Sequence, residues 1–263
     1  MAGSRALAVV SLPRRRDPAA GSRPGVRELS AQATRESILR AAIRIFAAHG
    51  YDGGRVEQIS RAAKSHDRMI YYYFGSKEGL FQAALGEIYR RFNEAEAALT
   101  LDAERPVAAL EAVVRFMWDY YRKHPEFIRL LNTENLLRGR HPTGRRAAPR
   151  PVDSPGARTG RGPGPGTRSK DSRMREYSSP AVGILQDLLD AGRARGAFRE
   201  DVSARDVYLM IASLGYFYLS NRYTLSAFLD EQLEAPAAMA HWEGFIVDAV
   251  MRTVSATGAV PAA

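Results

Sequence analysis

The sequence contains no cysteine, which excludes disulfide bonds, thiolate zinc sites and cysteine nucleophiles. A long apolar run is also missing. The longest weakly polar stretch, 207–219, has thirteen residues, whereas a helix that spans a bilayer needs about 20. The short apolar stretch at 6–12 is followed by its arginines at 14–16, the reverse of a secretory signal. We therefore predict a cytoplasmic protein with no membrane partner.

Signatures of common catalytic and metal sites are missing from the sequence too. It contains no Gly-x-Ser-x-Gly or His-Glu-x-x-His motif, and its five histidines are scattered without metal-ligand spacing. The glycine-rich stretch 160–166 has no predicted strand before it and carries prolines where a phosphate-binding loop needs backbone N–H donors. We predict no enzymatic activity, no metal site and no cofactor.

The formal net charge of +9 is unevenly distributed along the chain. Residues 1–30 carry +4, residues 138–175 carry +9 and residues 176–263 carry −5. A basic segment of this kind favours a polyanionic partner, because Arg and Lys release the condensed counterions of phosphates. The charge is equally consistent with a solvated basic tail that binds nothing.

Apolar residues recur at helical spacing through most of the chain. Ile38, Ala42, Ile45 and Phe46 mark one face of a first helix, and Gly50 can end that helix in the left-handed conformation. No convincing hairpin signal interrupts the helical patterns. We predict an all-α fold in which an N-terminal three-helix domain is joined to a C-terminal helical bundle that dimerises.

Composition divides the chain further. The first residues are rich in Arg, Pro and Gly and lack any apolar period. Residues 139–167 hold six Pro and seven Gly, so they cannot bury enough surface to offset the entropy of ordering the chain. The predicted segments are a disordered basic arm at 1–31, a first domain at 32–92 with a helix-turn-helix at about 55–74, a second domain at 93–255, a disordered insertion at 139–172 and a disordered tail at 256–263.

The three short helices within residues 34–74, with a tight turn near 63–65, are typical of a helix-turn-helix unit. Such a unit places the N-terminal residues of its last helix, here 67–74, in the major groove of DNA. Ile70 and Phe74 are spaced i, i+4 and are predicted to pack inward. The side chains predicted to point outward are those of Asp67, Arg68, Tyr71 and Tyr72.

These outward residues can read base pairs. Arg68 can bind guanine O6 and N7 bidentately, which discriminates by about 1–3 kcal/mol, and Asp67 can accept from cytosine N4. Tyr71 and Tyr72 can pack on a thymine methyl group or reach phosphate, and Lys77 lies at a helix start that favours phosphate. The alternative is that the tyrosine run is buried in a core or a dimer contact.

Residues 71–80, Tyr-Tyr-Tyr-Phe-Gly-Ser-Lys-Glu-Gly-Leu, resemble the N-terminal region of the TetR family of transcriptional regulators, over about 32–92. Residues 134–136 and 214–226 resemble a C-terminal domain of some members. The resemblance implies an all-helical homodimer. Its N-terminal domains would bind a pseudo-palindromic operator of double-stranded DNA, and its C-terminal domains would hold a small inducer.

Two positions depart from the family's pattern. The Thr or Ser that usually caps the second helix is replaced by Gly53-Gly54-Arg55, which weakens the cap by about 1 kcal/mol. Gly54 at the cap would limit the loss to about a few tenths of a kcal/mol, and Arg55 can contact phosphate instead. The usual glycine of the turn is Lys64, which costs about 1–2 kcal/mol if it is left-handed. The resemblance implies base contacts by Glu57, Asp67, Arg68, Met69, Tyr71 and Tyr72, and phosphate contacts by Tyr73 and Lys77.

The C-terminal domain offers candidates for ligand binding and for dimerisation. Aromatic side chains mixed with amides are typical of a small-molecule site, although the same residues can form a core with two polar groups at its edge. The ligand candidates are Phe116, Met117, Tyr120, Phe127, Asn132 and Asn135. A glycine in the helix around 208–219 permits close approach of a second helix. The dimer candidates are Tyr208, Ile211, Gly215, Tyr218, Trp242 and Phe245.

Taken together, the sequence predicts a homodimeric repressor that binds an operator and is released by a small-molecule effector. The alternative is a helical scaffold or ligand-binding bundle without sequence-specific DNA binding.

Overall fold

The structure, a computed structural model, describes residues 26–138 and 180–256. Within these two ranges the regular elements are nine α-helices, and one isolated antiparallel bridge joins Phe198 to Ser255. The helices are α1 (Val26–Gly53), α2 (Val56–Ala62), α3 (Asp67–Phe74), α4 (Lys77–Ala97), α5 (Pro106–Lys123), α6 (Pro125–Leu136), α7 (Ala181–Ala194), α8 (Ala204–Leu229) and α9 (Pro236–Val254). The predicted all-α fold is confirmed.

Helix α1 begins at Val26, so the prediction of disorder is wrong for residues 26–31, the end of the predicted arm. This segment contains neither proline nor glycine, and its side chains include good helix formers. Its first described side chain, Leu29, is exposed, and Thr34 Oγ1 donates to the Ser30 carbonyl at 2.9 Å. Leu29 and Ser30 are both exposed, so a search for apolar periodicity misses this part of the helix. Residues 1–25 lie outside the described residues.

The break at the end of α1 lies where the sequence predicts it. Gly50 has φ +69°, a left-handed value that glycine adopts without a steric penalty. Before this break, Ile38, Ala42 and Phe46 are fully buried. They face the neighbouring helices, since α1 packs against α2, α3, α4 and α6. Helix α1 therefore connects α2 and α3 to α4 and α6.

The predicted boundary at 92/93 falls inside α4, which runs unbroken from Lys77 to Ala97. Phe92 lies on this helix, and its ring centroid is 4.9 Å from that of Tyr120 and 5.2 Å from that of Phe127. The two lobes consequently share one continuous apolar core. None of the described helices is both long enough and apolar enough to cross a bilayer.

In the second lobe, α5 packs against α7, α8 and α9. The insertion predicted at 139–172 lies outside the described residues, as does the predicted tail from 257 onwards. Ala256, which begins that predicted tail, is ordered by a bond from its backbone N–H to the Ala197 carbonyl at 3.0 Å. The described end of the second lobe therefore closes on the segment that follows α7.

Two glycines of α7 give a matched test of the packing in this lobe. A Cβ atom on Gly192 would lie 1.9 Å from Cδ2 of the buried Phe198 ring, whereas a Cβ on Gly183 would meet nothing within 4 Å. We expect Gly192→Ala to lower the free energy of unfolding by about 1–3 kcal/mol, the cost of overpacking. Gly183→Ala should raise the free energy of unfolding by up to about 1 kcal/mol through helix propensity. Urea unfolding followed by circular dichroism measures both, and a shift of the same sign in the two variants would contradict the contact.

Candidate nucleic-acid interface

The start of α2 is built around a close approach of backbone to ring. A Cβ on Gly54 would lie 2.5 Å from Cδ1 of Phe46, which is fully buried, so glycine permits the chain to pass this ring. The N-cap residue is Arg55, whose backbone N–H donates to Gln58 Oε1 at 3.3 Å. Gly54 is therefore needed for packing against Phe46, and Arg55 rather than Gly54 is the N-cap of α2. The Arg55 side chain is exposed.

The turn between α2 and α3 contains Lys64 with φ +52°, so this position is left-handed although it is not a glycine. Backbone bonds stabilise the turn: the Ser65 N–H donates to the Ser60 carbonyl at 2.9 Å. From α1, Ser37 Oγ donates to the Ala63 carbonyl at 3.1 Å. The turn is thus tied directly to the long first helix, despite the strain of a left-handed lysine.

Helix α3 presents one polar and aromatic face to solvent. Ile70 is fully buried, which fixes the rotation of the helix. Tyr71 is 53% exposed, Tyr72 is 77% exposed, and Arg68 is also exposed. These three side chains point outward as predicted, so Tyr71 and Tyr72 are not buried in the core of the protomer. A helix of this size with a free polar face can enter a major groove about 12 Å wide.

Two residues expected to point outward do not do so fully. Met69 is half-buried and packs against the apolar core. Asp67 is also half-buried, and its Oδ1 accepts a short hydrogen bond from Ser60 Oγ, whose residue is buried. The Asp67 carboxylate therefore joins the start of α3 to α2, which leaves it poorly placed to read cytosine. Both side chains help to stabilise the motif, and their contacts with bases stay a prediction.

Beyond α3, Lys77 and Tyr73 flank the aromatic end of the helix. Lys77 Nζ donates to the Asp52 carbonyl at 3.2 Å and lies 4.8 Å from the centroid of the Tyr51 ring. Burial is the largest cause that raises the pKa of Tyr51. The half-buried Tyr73 ring packs edge-on to Tyr72, with centroids 5.0 Å apart. The lysine thus joins the last residues of α1 to the start of α4 through a hydrogen bond at the surface of the motif.

The remaining capping and packing contacts of the motif agree with the sequence. Ser76 caps α4, since its Oγ accepts from the Gly79 N–H at 2.9 Å. Phe74 is covered by the guanidinium of Arg35, whose Cζ lies 5.1 Å from the ring centroid. Glu57, on the first turn of α2, is exposed. Arg55, at the N-cap of the same helix, is exposed too.

Sequence reasoning missed His66, which lies at the N-cap of α3. Its side chain makes no capping hydrogen bond and is exposed, while its carbonyl accepts from the Met69 N–H at 2.9 Å. Together with Ser65 and Arg68, it borders an open groove of about 500 Å³ at the start of α3. Its position directly before the predicted recognition helix is the signal that points to it. Among the described residues, no three His, Asp or Glu side chains are grouped to hold a metal ion.

The six ligand candidates do not converge on one cavity. Met117, Tyr120 and Phe127 are buried in the core, and Phe116 packs against it with its ring 6.1 Å from that of Phe92. Asn132 instead lines a cavity of about 170 Å³ between α5, α6, α8 and α9. Its Oδ1 accepts a short bond from the Tyr216 hydroxyl, to which Asn135 Nδ2 also donates at 3.2 Å. The alternative interpretation, a core with polar groups at its edge, therefore describes the four apolar and aromatic candidates.

The dimer candidates divide in the same way. Ile211, Gly215 and Tyr218 are buried against the protomer's own helices; a Cβ on Gly215 would lie 3.2 Å from the Tyr121 ring. Trp242 stacks between Tyr218 and Phe245 with centroids 5.0 and 4.8 Å away. The prediction that Ile211, Gly215 and Tyr218 lie in a dimer interface is wrong. Helix α8 is apolar on two sides, and the side that carries these residues packs against α5 of the same protomer. Tyr208 is half-buried, and Phe245 is exposed.

The other side of α8 and the surface of α9 carry large apolar side chains in solvent. Leu209 and Phe217 are 51% and 56% exposed on α8, and Phe245 is 46% exposed on α9. Apolar residues left exposed on two neighbouring helices are typical of a protein–protein contact. The two predicted helices therefore stay the interface candidates, and Leu209 and Phe217 join the predicted Phe245.

Two family models match most of the chain. Residues 38–84 match the model for bacterial regulatory proteins of the tetR family, which covers the helix-turn-helix and the start of α4. Residues 106–153 and 166–250 match the model for a tetracyclin repressor-like C-terminal domain. The two matches follow the division into a DNA-binding lobe and a second helical lobe.

Known proteins give the same assignment. The chain is 47% identical over 228 residues to the HTH-type transcriptional repressor NicS of Pseudomonas putida, which covers 87% of this chain and 95% of NicS. It is 33% identical over 112 residues to the transcriptional regulator RutR of Escherichia coli, 43% of this chain and 52% of RutR. In fold it is similar to a TetR transcriptional regulator from Chloroflexus aurantiacus, with a TM-score of 0.56 at 19% identity over 87% of this chain and 100% of that one. The chain therefore belongs to the TetR family of bacterial transcriptional regulators.

Proposed function

We propose that this protein is a cytoplasmic homodimeric repressor that binds a pseudo-palindromic operator and leaves it when a small molecule occupies the second lobe. The observation that carries the proposal is the solvent-facing side of α3, where Arg68, Tyr71 and Tyr72 are exposed over the buried anchor Ile70. The similarity to the repressor NicS over 95% of its length supports repression rather than activation. We assign the protein no enzymatic activity and no cofactor.

The contacts with DNA divide into base contacts and phosphate contacts. Arg68 binds a guanine through O6 and N7, and Tyr71 and Tyr72 pack on bases at the edge of the groove. Arg55 and Lys77 bind phosphates on either side of the recognition helix, where they set its register without reading sequence. We add His66 to this second group, since it is exposed directly at the start of α3. Glu57 approaches a base edge from the first turn of α2, and Tyr73 supports the ring of Tyr72 at 5.0 Å.

Dimerisation uses the outward apolar side of α8 together with α9. A two-fold contact between these helix pairs covers Leu209, Phe217 and Phe245, which are exposed in the protomer. Burial of such side chains contributes about 25 cal/mol for each Å² removed from water. A two-fold axis also places the two α3 helices symmetrically, as a pseudo-palindromic operator requires.

Release follows from a shift between two populations of the dimer. A ligand bound better by one conformation of the second lobe increases the population of that conformation. In the released conformation, the two α3 helices are spaced so that they no longer match successive major grooves, about 34 Å apart. The path between the lobes is α1, which packs against α6 in the second lobe and against α2 and α3 in the first.

The proposal is tested by selection of bound duplexes from a random oligonucleotide pool, followed by affinity measurements at several salt concentrations. A regulator of this type enriches a pseudo-palindrome and binds it at least about 10³-fold more tightly than random duplex at the same salt. A helical scaffold or ligand-binding bundle enriches no sequence, and that outcome would overturn the proposal.

Lys77→Ala tests whether Lys77 contacts phosphate, which positions the recognition helix, or a base, which reads the sequence. We expect the substitution to weaken operator and random duplex by similar factors, because an ammonium group at phosphate carries no sequence information. The slope of log affinity against log salt should fall by about one for each protomer. Fluorescence anisotropy titrations measure both quantities.

A matched control is Lys123→Ala, which removes the same charge at the end of α5, where Lys123 pairs with Asp119 at 2.9 Å. This control should leave the slope unchanged. Since Lys77 also binds the Asp52 carbonyl, both variants are first checked for thermal unfolding. A loss of affinity confined to one base pair of the operator would contradict the phosphate assignment of Lys77.

A further inference from the structure

The cavity between α5, α6, α8 and α9 has features that point to one class of ligand. Its volume is about 170 Å³, well below the roughly 300–1,000 Å³ of sites for drug-sized molecules. Part of its wall is apolar, with Ile128 from α6, Leu219 from α8 and Met239 from α9. The space therefore suits a single ring or a short chain with one or two polar substituents.

Three arginines and one carboxylate line the same cavity, and their pairing leaves a positive charge. Arg222 Nε lies 3.1 Å from Glu234 Oε1, which balances that pair. Arg122 pairs with Asp119 on its own helix at 2.7 Å. Within the described residues, Arg129 has no ion-pair partner. A guanidinium group beside apolar walls and without a counter-charge favours a carboxylate, which it can bind through two parallel hydrogen bonds.

Neutral donors complete this side of the cavity. Asn132 Oδ1 accepts from the Tyr216 hydroxyl and from Ser220 Oγ, the latter at 3.1 Å, so the amide is fixed with its Nδ2 as a donor. Burial raises the pKa of Tyr121 well above its usual range, which keeps that lining phenol protonated. The Arg129 guanidinium and Asn132 Nδ2 therefore supply the hydrogen-bond donors that a carboxylate needs.

We propose that this cavity binds a small organic acid, with its carboxylate on Arg129 and Asn132 and its apolar body against Ile128, Leu219 and Met239. The inference rests on the proposed function and names the chemical class of its effector. Arg129 is exposed at the edge of the cavity, so a neutral molecule of the same size gains the apolar contacts without the paired hydrogen bonds to the guanidinium and binds more weakly.

The cavity is connected to the DNA-binding lobe through α6. This helix contributes Ile128, Arg129 and Asn132 to the cavity wall, and it packs against α1. Helix α1 in turn donates from Ser37 Oγ to the Ala63 carbonyl in the turn before α3. An acid that draws Arg129 inward therefore displaces the element on which the helix-turn-helix is mounted. The bound and free forms differ in the position of α6, which is the differential contact that a population shift requires.

The test uses the full-length dimer and two matched series of probes: benzoate, cyclohexanecarboxylate and hexanoate, and the amides of the same three acids. Each probe is added at millimolar concentration while thermal unfolding and tryptophan fluorescence are followed. Trp242 is a local reporter, because it lies one turn after Met239 and stacks on Tyr218. We expect at least one acid to raise the melting temperature by about 5 °C, and its amide to have no such effect.

Site-directed variants assign the effect to this cavity. Arg129→Gln should abolish the shift produced by the acid, whereas Arg105→Gln, an exposed arginine before α5, should keep it. The same acid should release wild-type protein from the selected operator at least tenfold.

Three outcomes would overturn the inference: amides that act as strongly as acids, a shift that persists in Arg129→Gln, or no shift with any of the six probes. None of these affects the proposed function, which is tested by operator binding in the absence of any acid.

Discussion

Arg68→Ala is expected to remove the preference for one base pair in each half-site of the operator. The guanidinium is exposed on the first turn of α3, directly beside the groove bordered by Ser65 and His66. A bidentate contact with guanine contributes about 1–3 kcal/mol of discrimination. Because the dimer reads two half-sites, the operator affinity should fall by roughly 2–6 kcal/mol, a factor of about 30 to more than 10⁴. Affinity for random duplex should change far less, because there each protomer loses only the attraction of one positive charge to phosphate.

The measurement is a set of anisotropy titrations at one salt concentration, with the operator and with operators that carry each single base-pair change. Wild-type protein should show one position per half-site at which a change from guanine is costly, and Arg68→Ala should be indifferent there. Arg105→Ala is the matched control, because it removes an exposed arginine from the second lobe. If the variant keeps the base preferences of the wild type, Arg68 does not read sequence.

The sequence predicts the DNA-binding lobe in considerable detail because its signals are local. The spacing of Ile70 and Phe74 gives the rotation of α3, and Gly50 and Ser76 mark the end of one helix and the start of another. The half-burial of Asp67 and Met69 cannot be predicted from local patterns, because it depends on tertiary contacts. Asp67 is held by Ser60, seven residues earlier on another helix, and a pattern within α3 does not contain that partner.

The second lobe is less predictable because its helices have apolar residues on more than one side. In α8, Tyr218 faces the protomer interior, with its hydroxyl donating to the Leu233 carbonyl at 2.9 Å, while the adjacent Phe217 faces solvent. Periodicity identifies the helix but not which side meets α5. The ligand candidates fail to converge for the same reason, since aromatic residues and amides are common to cores and to cavities. Only the packing of α6 against α8 brings Asn132 to a cavity wall.

Phe217→Arg should separate the dimer and, with it, the ability to hold an operator. The side chain is 56% exposed in the protomer, so the substitution disturbs little within one chain. In a two-fold contact, the same position is buried, and two guanidinium groups would face each other without a counter-charge. Burying unpaired like charges costs several kcal/mol, enough to dissociate a contact of ordinary size. A protomer that binds a half-site on its own loses the gain from linkage, about 10²–10⁴ in affinity.

Light scattering coupled to size-exclusion chromatography gives the oligomeric state, and anisotropy on the selected operator gives the affinity. The control is Leu136→Arg, the same type of substitution at the last residue of α6, where Leu136 is 85% exposed and is not among the side chains assigned to the dimer contact. We expect this control to stay dimeric and to bind the operator as the wild type does. A Phe217→Arg protein that remains dimeric would show that the outward side of α8 is not the interface. A monomer with undiminished operator affinity would instead remove the need for a two-fold arrangement, because a single α3 helix would then supply all the base contacts.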